Sequence, residues 1–464
     1  MFSLNPALPV PLYQQLYDQI REAVLQGKLP AHGKLPSVRE LAGELSVSRN
    51  TVEGAYLELY AEGYLYTRPR SGYFVAPLDF EAAGSGAARP AAAVPETAVS
   101  EPRYRYDFHP AGLDPDSFPA RLWRQCFVEC LSRHARELSH YPSDPAGELS
   151  LRLQLRRYLE HSRGVICDAG QIVICSGLQN ALDIVAQVLR ADHQSVAVED
   201  PGFHLARAVF RNHSFNVIPV PVGPQGLEVE GLGATSCTLA YVTPSHQLPM
   251  GQVMPIGNRL KLIEWAGKSN FIIEDDYDSE LRYQGKPITS LQGLRPEANV
   301  IYLGTFSKIL SPALRISYLV LPPSLRARYA ERFREYVSPV SVLDQLSLAR
   351  FMELGHWERH VRRMRNIYRR KHEAMLQSIE RHFGGAARVI GQGAGLHVVL
   401  HLESSHRDET ALISRAAERG IHLFPFSDTC ASGDRQTGNL LLGFGALTPG
   451  ELDAGMALLA EAIL

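Results

Sequence analysis

The sequence predicts an α/β domain built on a largely parallel, buried sheet and preceded by a small helix-turn-helix domain. Three observations carry this reading. From about Val173 onward, short apolar runs alternate with amphipathic stretches. Two short helical patterns joined by a tight turn lie between Ser37 and Leu59. A stretch with neither helical nor strand period separates the two regions. The expected organisation is a head over 10–77, a linker over 78–103 and a large domain over 104–464.

In the head, Leu12, Leu16, Ile20 and Val24 recur every four residues and predict an amphipathic helix closed by Gly27. Pro36-Ser37 opens a second helix. Ser37 can cap it and Glu40 can return the bond, the reciprocal pattern of a capping box. Leu41, Ala42 and Leu45 form its apolar face. After Ser46-Val47, Ser48 serves as the next N-cap, and Val52, Ala55, Tyr56 and Leu59 follow at helical spacing. Arg49, Asn50 and Thr51 crowd the start of that third helix, mostly off its apolar row. A recognition helix presents such residues to the major groove, where Arg49 and Asn50 suit base edges and Thr51 a phosphate. Beyond Gly63, two strand-like runs flank Arg68-Pro69-Arg70-Ser71-Gly72, a hairpin tip whose two arginines suit phosphates or the minor groove. Pattern alone leaves open a plain helical domain with an added hairpin. Residues 11–77 hold as many Lys/Arg as Asp/Glu, so position rather than net charge must carry any case for nucleic acid.

Residues 78–103, rich in Ala, Gly, Pro and Glu, predict a flexible tether. The large domain then offers strands at Ile172–Cys175, Val196–Val198, Leu239–Val242, Phe271–Ile273 and Val300–Leu303. Ligands of such sheets bind at the carboxyl ends of strands. Ser176-Gly177-Leu178-Gln179, Asp200-Pro201-Gly202-Phe203, Thr243-Pro244-Ser245-His246-Gln247, Glu274-Asp275-Asp276-Tyr277 and Ser307-Lys308 all fall just there.

Bulk properties bound the function. A composition of 45% apolar and 21% charged residues is that of a globular protein. The cysteines form no C-x-x-C pair, which argues against zinc and against a disulfide framework. No signal-peptide pattern and no membrane-spanning run is read, so a cytoplasmic, reducing location is expected. A net charge of −2 permits a locally basic DNA-binding face.

The constellation at the strand ends fits a site for pyridoxal 5′-phosphate. That chemistry needs a Schiff-base lysine and a carboxylate that keeps the ring nitrogen protonated, making the ring an electron sink. It also needs an aromatic face, and hydroxyls, an arginine and a helix N-terminus for the phosphate. Lys308 has Thr305 and Ser307 just before it and Arg315 seven residues on. Asp275 and Asp276 could instead be a metal pair, but no matching His or carboxylate cluster recurs nearby, and no metal is expected.

The run Lys34-Leu35-Pro36-Ser37-Val38-Arg39-Glu40-Leu41-Ala42, with Val47-Ser48-Arg49-Asn50-Thr51-Val52 and Ala61-Glu62-Gly63-Tyr64-Leu65, resembles the GntR-type winged helix-turn-helix. The resemblance implies that Arg39, Arg49 and Gly72 face a double-stranded DNA operator. The large domain resembles fold-type I aminotransferases, specifically the aminotransferase-like domain of MocR/GabR-type transcription regulators. It implies Lys308 as the Schiff-base lysine, Asp275 as partner of the ring nitrogen, Tyr277 and His246 against the ring hydroxyl, and Phe203 stacked on the ring. Gly177, Leu178, Thr305, Ser307 and Arg315 match the phosphate cup. Tyr141 resembles the tyrosine that reaches the phosphate across a dimer interface, and His360-Val361-Arg362-Arg363-Met364-Arg365 resembles a run typical of these regulators.

One departure stands out. Many aminotransferases clamp the substrate's α-carboxylate with an arginine near the C-terminus. Here Gly438-Asn439-Leu440-Leu441-Leu442-Gly443-Phe444 has none in line, and Arg435 is out of register. The expectation is therefore a bacterial, arm-swapped head-to-tail homodimer that regulates transcription. It would sense an amine, an amino acid, a taurine-like sulfonate or a vitamin B6 form, and would sit on the nucleoid when bound to DNA. The alternatives are a working aminotransferase with a DNA-binding head, one that retains only a slow half-transamination, and a DNA-binding protein with a vestigial pocket.

Overall fold

A computed structural model describes residues 2–69, 71–77, 104–283, 285, 288–391, 393–403, 408–433 and 438–464. The linker expected over 78–103, Arg70 and Arg435 lie outside the described residues. The chain divides into two compact units, Met1–Ser100 and Glu101–Leu464.

In the first unit, α1 (Leu12–Leu25) buries Leu16, Tyr17, Ile20 and Val24. Helix α2 (Val38–Glu44) starts at Ser37, whose side chain accepts from the Glu40 N–H while the Glu40 carboxylate accepts from the Ser37 N–H. Both ends of that box are satisfied as the sequence predicts. Ser46, at a φ of 54°, takes the left-handed turn into α3 (Arg49–Ala61). Val52, Ala55, Tyr56 and Leu59 of α3 close the core against α1 and α2. The antiparallel hairpin β1 (Leu65–Arg68) and β2 (Gly72–Val75) follows, with Leu65 opposite Val75 and Arg68 opposite Gly72. Three helices and a two-stranded wing make this a winged helix-turn-helix.

The second unit is an α/β domain built on one eight-stranded sheet. Its main strands are β3 (Ile172–Ser176), β4 (Ser195–Asp200), β5 (Asn216–Gly223), β6 (Gly226–Leu227), β7 (Leu239–Val242), β8 (Phe271–Asp276), β9 (Val300–Thr305) and β10 (Ile316–Val320). They order as β3-β10-β9-β8-β7-β4-β5-β6. The run from β9 to β5 is parallel; β10 is antiparallel to both neighbours, and β6 to β5. Alternate residues enter separate cores. Val173, Cys175, Val196, Val198, Ile273 and Leu303 pack with helix α4 (Gly177–Leu189), whereas Ile172, Ile174, Tyr302 and Tyr318 join the cluster on the other face. A sheet covered on both faces needs near-continuous apolar strands, which is why the runs are legible in the sequence.

Two features go beyond the sequence reading. The strand β10 was not expected, and it brings Arg315, at its start, to the edge where the parallel strands end. A smaller antiparallel sheet of β11 (Ala387–Ile390), β12 (His397–Leu402) and β13 (Asn439–Gly443) was not expected either. The long helix α5 (His356–Phe383) braces the loop after β9. Its Trp357 packs on Phe306, and His360 Nε2 donates to the Ile309 carbonyl at 2.9 Å. Arg362 and Arg363 of the same run are exposed, and Arg365 Nε donates to the Glu280 carbonyl.

Candidate functional site

A cavity of about 320 Å³ opens at the carboxyl edge of the large sheet. Its wall draws Leu178 from the start of α4, Phe203 from after β4, Asp275 and Tyr277 from β8 and its continuation, and Thr305, Ser307 and Lys308 from the end of β9 and the loop after it. Arg315 completes this side. Residues from five chain segments converge because every one of those strands ends or begins at the same edge.

Alternation along β8 sorts its two aspartates. Asp276 turns to a buried ion pair with Arg163, Nε to Oδ2 at 2.6 Å, and also accepts from Tyr302 and from Ser279. Asp275 turns to the cavity, where the Tyr241 hydroxyl donates to its Oδ2. Its Oδ1 is buried with no hydrogen-bond partner among the described residues. Burial, above all, pushes the Asp275 carboxyl up to about 7, against the Tyr241 hydrogen bond. The two aspartates thus face different surroundings, and no cluster that could hold a metal ion occurs among the described residues.

Lys308 is half-buried on the wall. Burial holds its ammonium below the ordinary lysine range, opposed by Asp278 and Asp275. Ahead of it, the Thr305 hydroxyl accepts from the Ser307 N–H and donates to the Ser307 hydroxyl at 3.0 Å. Gly177 opens α4 at a φ of 79°, and a β-carbon there would fall 1.9 Å from Arg315 Nη2. Glycine therefore lets a guanidinium close over a helix N-terminus, with its free backbone N–H groups. Hydroxyls, guanidinium and helix start together form a cradle suited to a phosphate.

Two sequence-predicted residues lie elsewhere. His246 is not on the cavity wall; it stands behind Tyr277, its Nδ1 3.0 Å from the Tyr277 hydroxyl and 2.9 Å from Asp278 Oδ2. The loop turns Leu248 to the cavity instead. Tyr141 is 89% exposed and does not line the cavity of its own chain. Sequence reasoning also missed His109, Asp278, His397, Phe424 and Leu441 on the wall. Asp278 alone carried a signal, as the residue that directly follows Tyr277 in a run of acids.

On the first unit, Arg39, Ser48, Arg49, Asn50, Arg68 and Gly72 are exposed and Thr51 is half-buried. Ser48 caps α3, accepting from the Thr51 N–H at 3.1 Å, with the two hydroxyls 2.8 Å apart. Arg68 lies over the Phe74 ring at 4.8 Å and donates to the Tyr66 hydroxyl. Gly72 takes a φ of 99° as β2 begins.

Comparison with known proteins agrees with both halves. Residues 12–75 match the family "Bacterial regulatory proteins, gntR family", and residues 120–456 match "Aminotransferase class I and II". The chain is 38% identical over 460 residues to the "Uncharacterized HTH-type transcriptional regulator YdeL" of Bacillus subtilis, covering 99% of this chain and 98% of that one. It is 34% identical over 485 residues to the "Probable rhizopine catabolism regulatory protein MocR" of Rhizobium meliloti, covering 100% and 96%. Among solved structures, the Pyrococcus horikoshii kynurenine aminotransferase in complex with PMP superposes with a TM-score of 0.70 at 27% identity, covering 78% of this chain and 91% of that one. Winged head, strand-edge cavity and full-length similarity converge: the chain belongs to the MocR-type transcriptional regulators, in which a GntR helix-turn-helix domain is fused to an aminotransferase class I and II domain.

Proposed function

We propose that this DNA-binding regulator holds pyridoxal 5′-phosphate in the cavity and reads a small-molecule effector there. The single observation that carries the reading is Asp275 Oδ1, a buried carboxylate oxygen with no partner on the wall that also bears Lys308. A protonated ring nitrogen supplies the missing hydrogen bond and the opposite charge. In this reading Lys308 holds the coenzyme covalently, and Asp275 keeps its nitrogen protonated. Phe203 covers a ring face, Tyr277 meets the ring hydroxyl, and His246 orients Tyr277 from behind. Thr305, Ser307, Arg315, the Leu178 N–H and the space left by Gly177 take the phosphate. The coenzyme supplies an electron sink.

Two further assignments belong to the proposal. Tyr141, far out on its own chain, completes the phosphate end of a partner's cavity in a homodimer. Arg39, Ser48, Arg49, Asn50, Thr51 and the wing residues Arg68, Arg70 and Gly72 form the DNA face. Effector binding then changes contacts in the cavity, and that difference in binding free energy biases where the heads sit on the operator.

The test uses the full-length protein loaded with pyridoxal phosphate. Borohydride should trap the coenzyme on Lys308, and Lys308→Ala should abolish both the adduct and the effector response of operator binding. Loss of neither on substitution would overturn the assignment. The intact Lys308, Asp275 and Tyr277 set also favours a slow half-transamination as a second reading. Sustained turnover of an amino donor with a keto acid would promote the aminotransferase above the sensor.

A further inference from the structure

The two sides of the cavity differ in chemistry. The edge of the large sheet contributes hydroxyls, Asp275, Lys308 and Arg315. The side built by the smaller sheet and its neighbours contributes Leu396, His397, Phe424 and Leu441, and the loop after β7 adds Leu248. Phe424 and Leu441 are bridged through their backbones, so an aromatic and a branched side chain are fixed next to each other. The Phe424 ring meets His109 edge-on at 5.6 Å and His204 at 5.8 Å. These rings make an aromatic wall suited to another ring.

The cations of the wall lie on the large-sheet side. Among the described wall residues, the permanent cations are Lys308, which holds the coenzyme in the reading above, and Arg315, which lies against Gly177 at the phosphate cradle. His109, His204 and His397 are each driven by burial toward the neutral imidazole, His397 to about 3. Asp278 is the carboxylate that remains on the wall. A ligand carboxylate placed against Leu441 would be desolvated with no cationic partner among the described wall residues, whereas an ammonium approaching Lys308 would be drawn by Asp278.

We propose that the effector of this cavity is a primary amine with an apolar, ring-sized body and no carboxylate. The proposal rests on the coenzyme reading above, since that reading supplies the electrophile beside Lys308. It predicts that a carboxylate is excluded by chemistry, through Leu441, rather than by size.

The experiment compares two probes on the holoprotein, 2-phenylethylamine and L-phenylalanine, which share ring and amine and differ by the carboxylate. The change in visible absorbance and the thermal midpoint are followed to half-saturation. The amine should half-saturate at a concentration roughly tenfold or more below that of the amino acid. Leu441→Arg should narrow or invert that ratio by about tenfold, since a guanidinium can clamp a carboxylate in two hydrogen bonds. Phe424→Ala should weaken the amine without releasing the coenzyme. L-Phenylalanine binding as well as or better than the amine on the wild-type chain overturns the proposal, as does the absence of any response to 2-phenylethylamine by a protein that demonstrably carries the coenzyme. A wild-type chain from which borohydride traps no pyridoxal on Lys308 overturns the coenzyme reading instead, so the two failures are told apart before any effector is added.

Discussion

The Tyr241 hydroxyl donates to one oxygen of Asp275 and leaves the other without a partner on the cavity wall. The pair divides the carboxylate's work: Tyr241 favours its ionised form, and burial opposes it. Tyr241→Phe should therefore raise the Asp275 pKa further and weaken the hold on pyridoxal phosphate by about five- to tenfold at neutral pH, the worth of one hydrogen bond to a charged group. The defect should shrink at alkaline pH, where Asp275 is ionised without help. Equilibrium titration of the apoprotein checks this, and a loss that stays constant with pH would assign Tyr241 to packing alone.

The same burial makes a statement about stability. Asp275, Glu199, Glu274 and Glu280 are all raised to about 7, chiefly by desolvation. In the unfolded chain these carboxyls release their protons near 4 (roughly), so between about pH 4 and 7 the folded state binds more protons. Stability contributed by these groups is thus present below that window and falls as pH rises through it. Asp275→Asn in the apoprotein should remove part of the slope, on the order of a few kcal/mol across the window. Urea unfolding at stepped pH measures it, and an unchanged slope would mean that Asp275 is solvated in the absence of coenzyme.

At the opposite end of the cavity, Gly177, the first residue of α4, is fixed by its neighbour Arg315. A methyl group there collides with Arg315, and its φ of 79° is strained for any L side chain. Gly177→Ala should cost about 1–2 kcal/mol in backbone strain and push the guanidinium off the phosphate cradle. The diagnostic is a comparison of coenzymes: affinity for pyridoxal phosphate should drop roughly tenfold or more, while affinity for pyridoxal, which lacks the phosphate, stays nearly level. Equal losses for both would deny the cradle its assignment.

Much of this site is visible in the sequence because parallel strands buried on both faces leave a simple trace. An apolar run ends and a polar or aromatic residue follows, as at Ser176-Gly177, Phe203, Asp275 and Lys308. The capping box at Ser37 and the apolar row of α3 are equally local. What escaped is what depends on distant chain segments. Leu248, Phe424 and Leu441 have no chemical signature, and only the folded loop and smaller sheet bring them to the cavity. His246 drew attention as a polar residue after a strand, yet the loop buries it against Asp278 and offers Leu248, two residues on, to the site. The strand β10 was hidden because an antiparallel member inside a parallel run is set by pairing, not by its own five residues.

The head separates a structural residue from one with no structural duty at neighbouring positions. Ser48 holds the start of α3 by accepting from the Thr51 N–H, and Ser48→Ala should destabilise the helix start by about 1 kcal/mol. Arg49, one residue later, is exposed, and no side-chain hydrogen bond or ion pair ties it to another described residue. Its removal should leave thermal stability unchanged. If Arg49 reads a base edge, Arg49→Ala should lower operator affinity by roughly 5- to 150-fold while weakening binding to unrelated duplex much less. If it only neutralises a phosphate, both affinities should fall together and the salt dependence should flatten by about one ion. Fluorescence anisotropy on the two duplexes across a salt series distinguishes these outcomes, and an Arg49→Ala protein with wild-type affinity for both would remove the start of α3 from the DNA face.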